Sequence, residues 1–276
     1  MKLGTMIHAW IGKPLRASTA REARRLLLET VREQVTAHRL DYVETTEDLR
    51  ALYPDVFDAG LYRDLATLSQ ELGFSWTVHL PFVGINLAAA HEPIRRASVE
   101  ATLESANSAT PLQPDLFVLH ALSDGADRDE LVPMPGSDWP LRRSWDRVAT
   151  SMQALLGQLP RERVCVENMP LLSPEHTSRV ASEFGTAQCL DIGHLLLWGD
   201  DLDHFVATDG ARVKLLHLHD VARRDSRLAD HQALGTGLTP VRELLAFARA
   251  GNRHVTLEVP GWANFQRSMA FLAPLR

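Results

Sequence analysis

Eight short apolar runs, each followed by a segment of helical spacing, restrict the folding of this chain more than any other feature. The runs span 3–9, 42–44, 74–79, 116–122, 163–169, 187–192, 213–219 and 254–259. Between them, helices are expected from Ser18-Thr19 to about Ala37, over 61–72, 93–109, 141–156 and 174–184, then a short one, then 240–250 and 265–272. Thr19 is a suitable N-cap for the first, and Gly73 closes the second. Apolar, β-branched strands alternating with helices imply a parallel sheet, and eight units in one chain favour closure into a (β/α)8 barrel of the TIM type. No Gly-x-Gly-x-x-Gly follows the first strand, so an open dinucleotide-binding sheet loses its main support. Residues 1–276 read as one domain, with a loop insertion rich in Asp, Gly and Pro over 123–140 that is expected to serve as a lid or a longer loop.

The 276 residues, 45% apolar and 23% charged, suffice for one large core. A formal net charge of −6 argues against affinity for nucleic acid through its phosphate backbone. Cys165 and Cys189 lie inside strand-like runs and read as reduced core thiols. No secretory leader or membrane-spanning run is evident, so a cytoplasmic protein with no membrane partner is expected.

Chemistry collects where the strands end. Strand three ends at His79, four at His120, five at Glu167, six at Asp191 with His194 beyond, seven at His217, and eight at Glu258. Side chains alternate across a strand, so the residues just before these (Val78, Leu119, Val166, Leu190, Leu216, Leu257) should face the helices. Those two before (Thr77, Val118, Cys165, Cys189, Leu215, Thr256) should fill the barrel. Carboxylates and imidazoles converging on one mouth require a cation to offset repulsion and desolvation. Mixed nitrogen and oxygen donors suit Zn²⁺, Mn²⁺, Co²⁺ or Fe²⁺, and their number suits two or three ions in a hydrolytic site. Gly193 is read as the residue that lets the chain turn sharply after Asp191, and Asp220 as a partner that orients His217. His219 is open to a supporting role or to third-metal ligation.

These strand ends resemble the xylose-isomerase-like TIM-barrel superfamily of endonuclease IV and the sugar isomerases and epimerases. In the endonuclease IV pattern the positions of His79, His120 and Glu167 hold one metal, and Glu167 is shared with a second held by Asp191, His217 and Glu258. A third metal there uses the positions of His194 and His231 and an Asp two residues before the latter, where this chain has Ala229 with Asp230 adjacent. Within the superfamily, Val78-His79-Leu80-Pro81, Cys165-Val166-Glu167-Asn168, Cys189 to Leu196, His217-Leu218-His219 and Asp230-His231 are most similar to the cobamide-remodelling phosphodiesterases. That likeness implies hydrolysis of the nucleotide-loop phosphodiester of a vitamin B12-type corrinoid, with two or three divalent ions, Zn or Mn foremost.

Trp10, Phe82, Trp198 and Trp262 follow strands one, three, six and eight and are expected to ring the mouth, a wall for a bulky, partly apolar substrate or simply aromatics packed on one another. Arg223, in a polar loop after strand seven with Arg224 and Arg227, is positioned to hold phosphate. His8 and Glu44, ending strands one and two, are given secondary roles. The leading reading is a metal-dependent phosphodiesterase in which paired cations activate water and Glu167, Glu258 and His217 carry the chemistry. A metal-dependent sugar isomerase or epimerase, with Glu167 and Glu258 moving the proton, is the alternative; an abasic-site endonuclease is third, and a non-enzymatic metal or corrinoid carrier fourth.

Overall fold

A computed structural model describes residues 1–121, 139–170, 172–225 and 227–276, with side chains in the 139–156 helix described from Ser144 onward. The expected lid over 123–138 lies outside the described residues, and 139–140 begin a helix. The strands are β1 (Lys2–Met6), β2 (Tyr42–Thr46), β3 (Ser75–His79), β4 (Leu116–Leu119), β5 (Val164–Glu167), β6 (Ala187–Asp191), β7 (Val213–Leu218), β8 (Asp220–Arg224), β9 (Arg227–Gln232) and β10 (His254–Leu257). The α-helices are α1 (Ala20–His38), α2 (Asp48–Leu52), α3 (Ala59–Leu72), α4 (Glu92–Ser108), α5 (Trp139–Leu156), α6 (Pro174–Phe184), α7 (Ile192–Trp198), α8 (Leu202–Asp209), α9 (Val241–Ala250) and α10 (Trp262–Leu272).

Eight strands, all but β8 and β9, close a parallel barrel in the order β1-β10-β7-β6-β5-β4-β3-β2. Closure removes sheet edges and sends every strand's C-terminal end to one face. The parity expected of the strands is observed. Leu116, Val118, Cys165, Ala187, Cys189 and Leu215 form a cluster of their own, while Val78, Leu119, Val166, Leu190, Leu216 and Leu257 join the larger core that includes helix residues. Both cysteines are free and buried, and burial pushes the Cys165 thiol up to about 12. No helix among the described residues is long and apolar enough to cross a membrane.

Four elements depart from expectation. The first strand stops at Met6, and Ile7–Ala9 form a 3-10 turn that folds the following chain inward. A short helix, α2, follows β2, and two helices rather than one separate β6 from β7. The polar loop after β7 is an antiparallel hairpin, β8–β9, whose Arg224↔Arg227 pair closes a turn with Asp225 at φ +54. Aspartate tolerates that left-handed conformation better than most residues, which suits it to a tight reversal.

The opposite, N-terminal end of the barrel is tied by one carboxylate. Asp115, just before β4, accepts from Lys2 Nζ at 2.8 Å, Ser75 Oγ at 2.8 Å and His254 Nε2 at 3.3 Å, joining the starts of β1, β3, β4 and β10. The His254 hydrogen bond, with Lys2 and Ser75, holds its carboxyl well below the usual range. A depressed folded-state pKa contributes stability above the ordinary value of 3.8, and that contribution fades as pH falls below it. With a third of this side chain exposed, Asp115→Asn is expected to lower unfolding free energy by only about 1 kcal/mol at neutral pH. Urea unfolding of parent and variant should show that difference at pH 7 and a progressively smaller one only as pH falls below 3.8 toward the depressed folded-state value.

Candidate metal centre

The donors expected from the strand ends come together at the C-terminal mouth. His79, Glu167 and Asp191 are the last residues of β3, β5 and β6, and His217 is the last but one of β7. His120 and Glu258 follow β4 and β10 directly. They form groups whose donor atoms lie within 4.8 Å of one another: His79, His120 and Glu167; Glu167, Asp191, His217 and Glu258; and His194, Asp230 and His231. Glu167 joins the first two, with Oε2 3.2 Å from His79 Nε2 and 3.0 Å from His120 Nε2, and Oε1 3.2 Å from His217 Nδ1.

The rings are held from behind. His79 Nδ1 donates to the Leu80 carbonyl at 2.8 Å, His194 Nδ1 to the Asn168 carbonyl at 2.9 Å, and His217 Nε2 to Glu44 Oε1 at 3.0 Å. With the rear nitrogen engaged, the front nitrogen of each is the one free to act as a ligand. Glu258 Oε2 supplies a further sign: it stands 2.7 Å from His217 Nδ1 yet has no hydrogen-bond partner among the described residues. A buried carboxylate oxygen in that position beside an imidazole nitrogen fits two ligands of one cation, and the mixed donor set fits Zn²⁺ or Mn²⁺.

The electrostatics agree. Burial alone would lower His79, but the Glu167 carboxylate raises it to about 9; burial likewise opposes His231, which Asp230 and Glu258 carry to about 11. Glu167 and Glu258 are driven the other way, well below the carboxylate range despite burial, first by His217 and then by their other histidines. Protons on these imidazoles occupy the electrostatic role that a divalent cation would take, so loading the site should release protons.

The third group depends on an irregularity. The carboxylate expected two residues before His231 is replaced by Ala229, and in a regular strand Asp230 would point away from its neighbour. Here Asp220 pairs with Gln232 and Ala222 with Ala229, leaving Asp230 and His231 opposite Val221 alone. This bulge, with His231 at φ +51, brings Asp230 Oδ2 to 3.9 Å from His194 Nε2 and Oδ1 to 3.3 Å from His231 Nδ1.

Asp191 is supported from three sides. Its Oδ1 accepts the His194 backbone N–H at 2.7 Å and so caps α7, while Asn168 exchanges two hydrogen bonds with its backbone, at 2.8 and 2.9 Å. His219 supplies the third support. The His231 N–H donates to its Nδ1 at 2.8 Å, so its Nε2 donates to Asp191 Oδ2 at 3.0 Å. His219 thus takes the supporting role, although its position near Asp191, His231 and Glu258 also keeps it within donor reach. The expectation that Asp220 orients His217 is corrected: its carboxylate accepts backbone N–H groups of Val221, Thr236, Gly237 and Thr239 and shapes the loop after the hairpin. Glu44 takes that position instead: expected to end its strand, it stands in the middle of β2, which runs on to Thr46, and so lies inside the barrel.

The aromatic ring is partly redrawn. Phe82, 45% exposed, lies over the cluster, 5.3 Å from the His79 ring and 4.9 Å from His120. Trp198 ends α7 and Trp262 begins α10, both about half exposed. Trp10 does not stand out at the rim: the 3-10 turn carries it into the core, edge-on to Phe265 at 5.5 Å. It nevertheless lines, with His8, Ile11, Lys13 and Trp262, a cavity of about 460 Å³. Burial lowers the pKa of His8 in that cavity, and the Glu258 and Glu44 carboxylates oppose the shift. Arg223 is exposed on β8.

Gly193 also has a different reason from the one expected. It is helical, without positive φ, and a Cβ there would lie 2.0 Å from His219 Cε1. Because His219 is held at both nitrogens, Gly193→Ala should cost about 1–3 kcal/mol and release His219 from Asp191. Thermal unfolding should register the first effect, and reduced retention of metal through gel filtration the second.

No curated protein sequence is significantly similar to the chain. Among solved structures, it resembles a D-tagatose 3-epimerase-like protein with TM-score 0.71 and 18% identity, covering 99% of this chain and 96% of that one. It also resembles SacUVDE, with TM-score 0.68, 13% identity and coverage of 100% and 99%. A third is D-psicose 3-epimerase from Clostridium cellulolyticum H10, with TM-score 0.66, 16% identity and coverage of 97% and 90%. At these identities the likeness shows the fold. The sequence family described as xylose isomerase-like TIM barrel matches residues 33–275, and the chain belongs to that family.

Proposed function

We propose that this protein is a metal-dependent phosphodiesterase holding two or three divalent ions, Zn²⁺ or Mn²⁺, with a cobamide as the first substrate to test. The observation that carries the reading is the donor set beyond Glu167, Asp191, His217 and Glu258: His79 and His120 on one side, and His194, Asp230 and His231 on the other. One ion does not need these side groups, whereas phosphodiester hydrolysis uses neighbouring ions on the attacking and leaving oxygens. When bound, the cations supply Lewis acidity and acidify water.

The chain's own groups do the rest. Glu167 spans two donor groups and fixes their separation. Glu258, beyond its place in the donor set, orients the attacking water and accepts its proton. His217 holds Glu167 and Glu258 in register. Arg223 binds a non-reacting phosphate oxygen. Phe82, Trp198 and Trp262, with the cavity beside Trp10, accommodate a bulky, partly apolar small molecule such as a corrinoid. The strand-end motifs favour a cobamide, and the net charge of −6 disfavours nucleic acid.

A metal-dependent sugar epimerase is the second reading, and the comparisons lean toward it. Besides the two epimerase-type neighbours above, 3-keto-D-glucoside 4-epimerase from E. coli (TM-score 0.65, 16% identity) and an L-ribulose 3-epimerase (0.70, 14%) share the fold. In that reading Glu167, Asp191, His217 and Glu258 would hold one ion, which would polarise adjacent sugar oxygens, and the two glutamates move the proton.

Metal analysis with a substrate panel separates the two. Phosphodiesterase action predicts at least two ions per chain and hydrolysis of a cobamide. The His79→Ala, His120→Ala double variant should bind one ion fewer and lose at least about 100-fold in rate. A single ion in both proteins, with deuterium entering a ketose from heavy water and no hydrolysis, would establish the epimerase instead. Tight binding of abasic duplex at physiological salt would point to DNA repair.

A further inference from the structure

Glu44 is a fully buried carboxylate inside the barrel, under the donor cluster, and belongs to none of the donor groups. Such a charge is costly unless its oxygens are hydrogen-bonded, and here both are. Oε2 accepts the hydroxyls of Thr77 at 2.8 Å and Thr256 at 3.2 Å; the Thr256 hydroxyl is itself 2.8 Å from Tyr42 Oη. These contacts tie β2 to β3 and β10 and fix the carboxylate's rotation. Oε1 then faces His217 Nε2 at 3.0 Å. His217 is equally buried, and its other nitrogen faces Glu167 at 3.2 Å, Glu258 at 2.7 Å and Asp191 at 3.9 Å.

We propose that Glu44 is a positioning residue that selects the Nε2–H tautomer of His217 and thereby turns the Nδ1 lone pair toward the Glu167, Asp191 and Glu258 carboxylates. Its negative charge behind the ring strengthens Nδ1 as a ligand. Cys189, a further polar neighbour of His217, offers only a thiol and cannot fix a tautomer as a carboxylate does. The assignment rests on the reading that these residues hold a cation, and holds for either proposed reaction.

The test uses full-length protein, Zn²⁺ affinity measured by competition with a chromophoric chelator, and ¹⁵N NMR of the histidine rings in the metal-free form at a pH where the His217 ring is neutral. In the parent, His217 is expected to carry its proton on Nε2. Glu44→Met should weaken Zn²⁺ binding by about 10–100-fold and remove that signature. In Glu44→Gln the amide oxygen still accepts from Nε2 while its NH2 meets the threonine hydroxyls, so the signature persists and affinity falls by less. If Glu44→Met does not unfold cooperatively, the Gln variant decides: reduced affinity supports the assignment, and parental affinity overturns it. Unchanged affinity in both variants, or Glu44→Met with His217 still protonated on Nε2, would overturn it while leaving the metal reading intact. A parent protein that binds no zinc or manganese would bring down both.

Discussion

Glu167 is the residue on which the rest of the site depends. Its two oxygens face different histidines, His79 and His120 on one side and His217 on the other, so one carboxylate sets the spacing between two donor groups. Buried without those partners it would be prohibitively costly, and they would repel one another without it. The cluster is therefore a single electrostatic unit: remove its central charge and the surrounding imidazoles lose the reason for their positions.

The barrel makes that unit possible because it decides which atoms are neighbours. Residues far apart in sequence, such as Glu44 and His217, become adjacent when parallel strands close in a circle and their ends share one face. The two ends divide the work. At the N-terminal end Asp115 joins four strand starts with ordinary structural contacts, while at the C-terminal end β3, β5, β6 and β7, with the residues after β4 and β10, bring carboxylates and imidazoles within reach of one another.

Much of this was legible in the sequence, and the limits were physical. Strand parity placed Val118, Cys165, Cys189 and Leu215 inside the barrel, and the strand-end positions named the donors that meet there, because period-two alternation in a buried strand leaves few options. The misjudged features were those set by contacts rather than by pattern. Trp10 turned inward because the strand ended three residues early in a 3-10 turn, and Gly193 was explained by turning when the cause is the His219 ring approaching from just beyond β7. Glu44 shows the same limit: the importance of a carboxylate inside the barrel is visible only once its partner from β7 is beside it.

The bulge in β9 extends this point to comparison between proteins. A carboxylate one position along a strand from its expected place can still meet the same histidines, provided the backbone absorbs the shift, as it does at His231. Column-by-column alignment scores Ala229 as a lost ligand and Asp230 as incidental, although Asp230 stands within reach of His194 and His231. Relatives that differ by a single inserted or deleted residue near such a hairpin are best matched by the position of the carboxylate rather than by its sequence number.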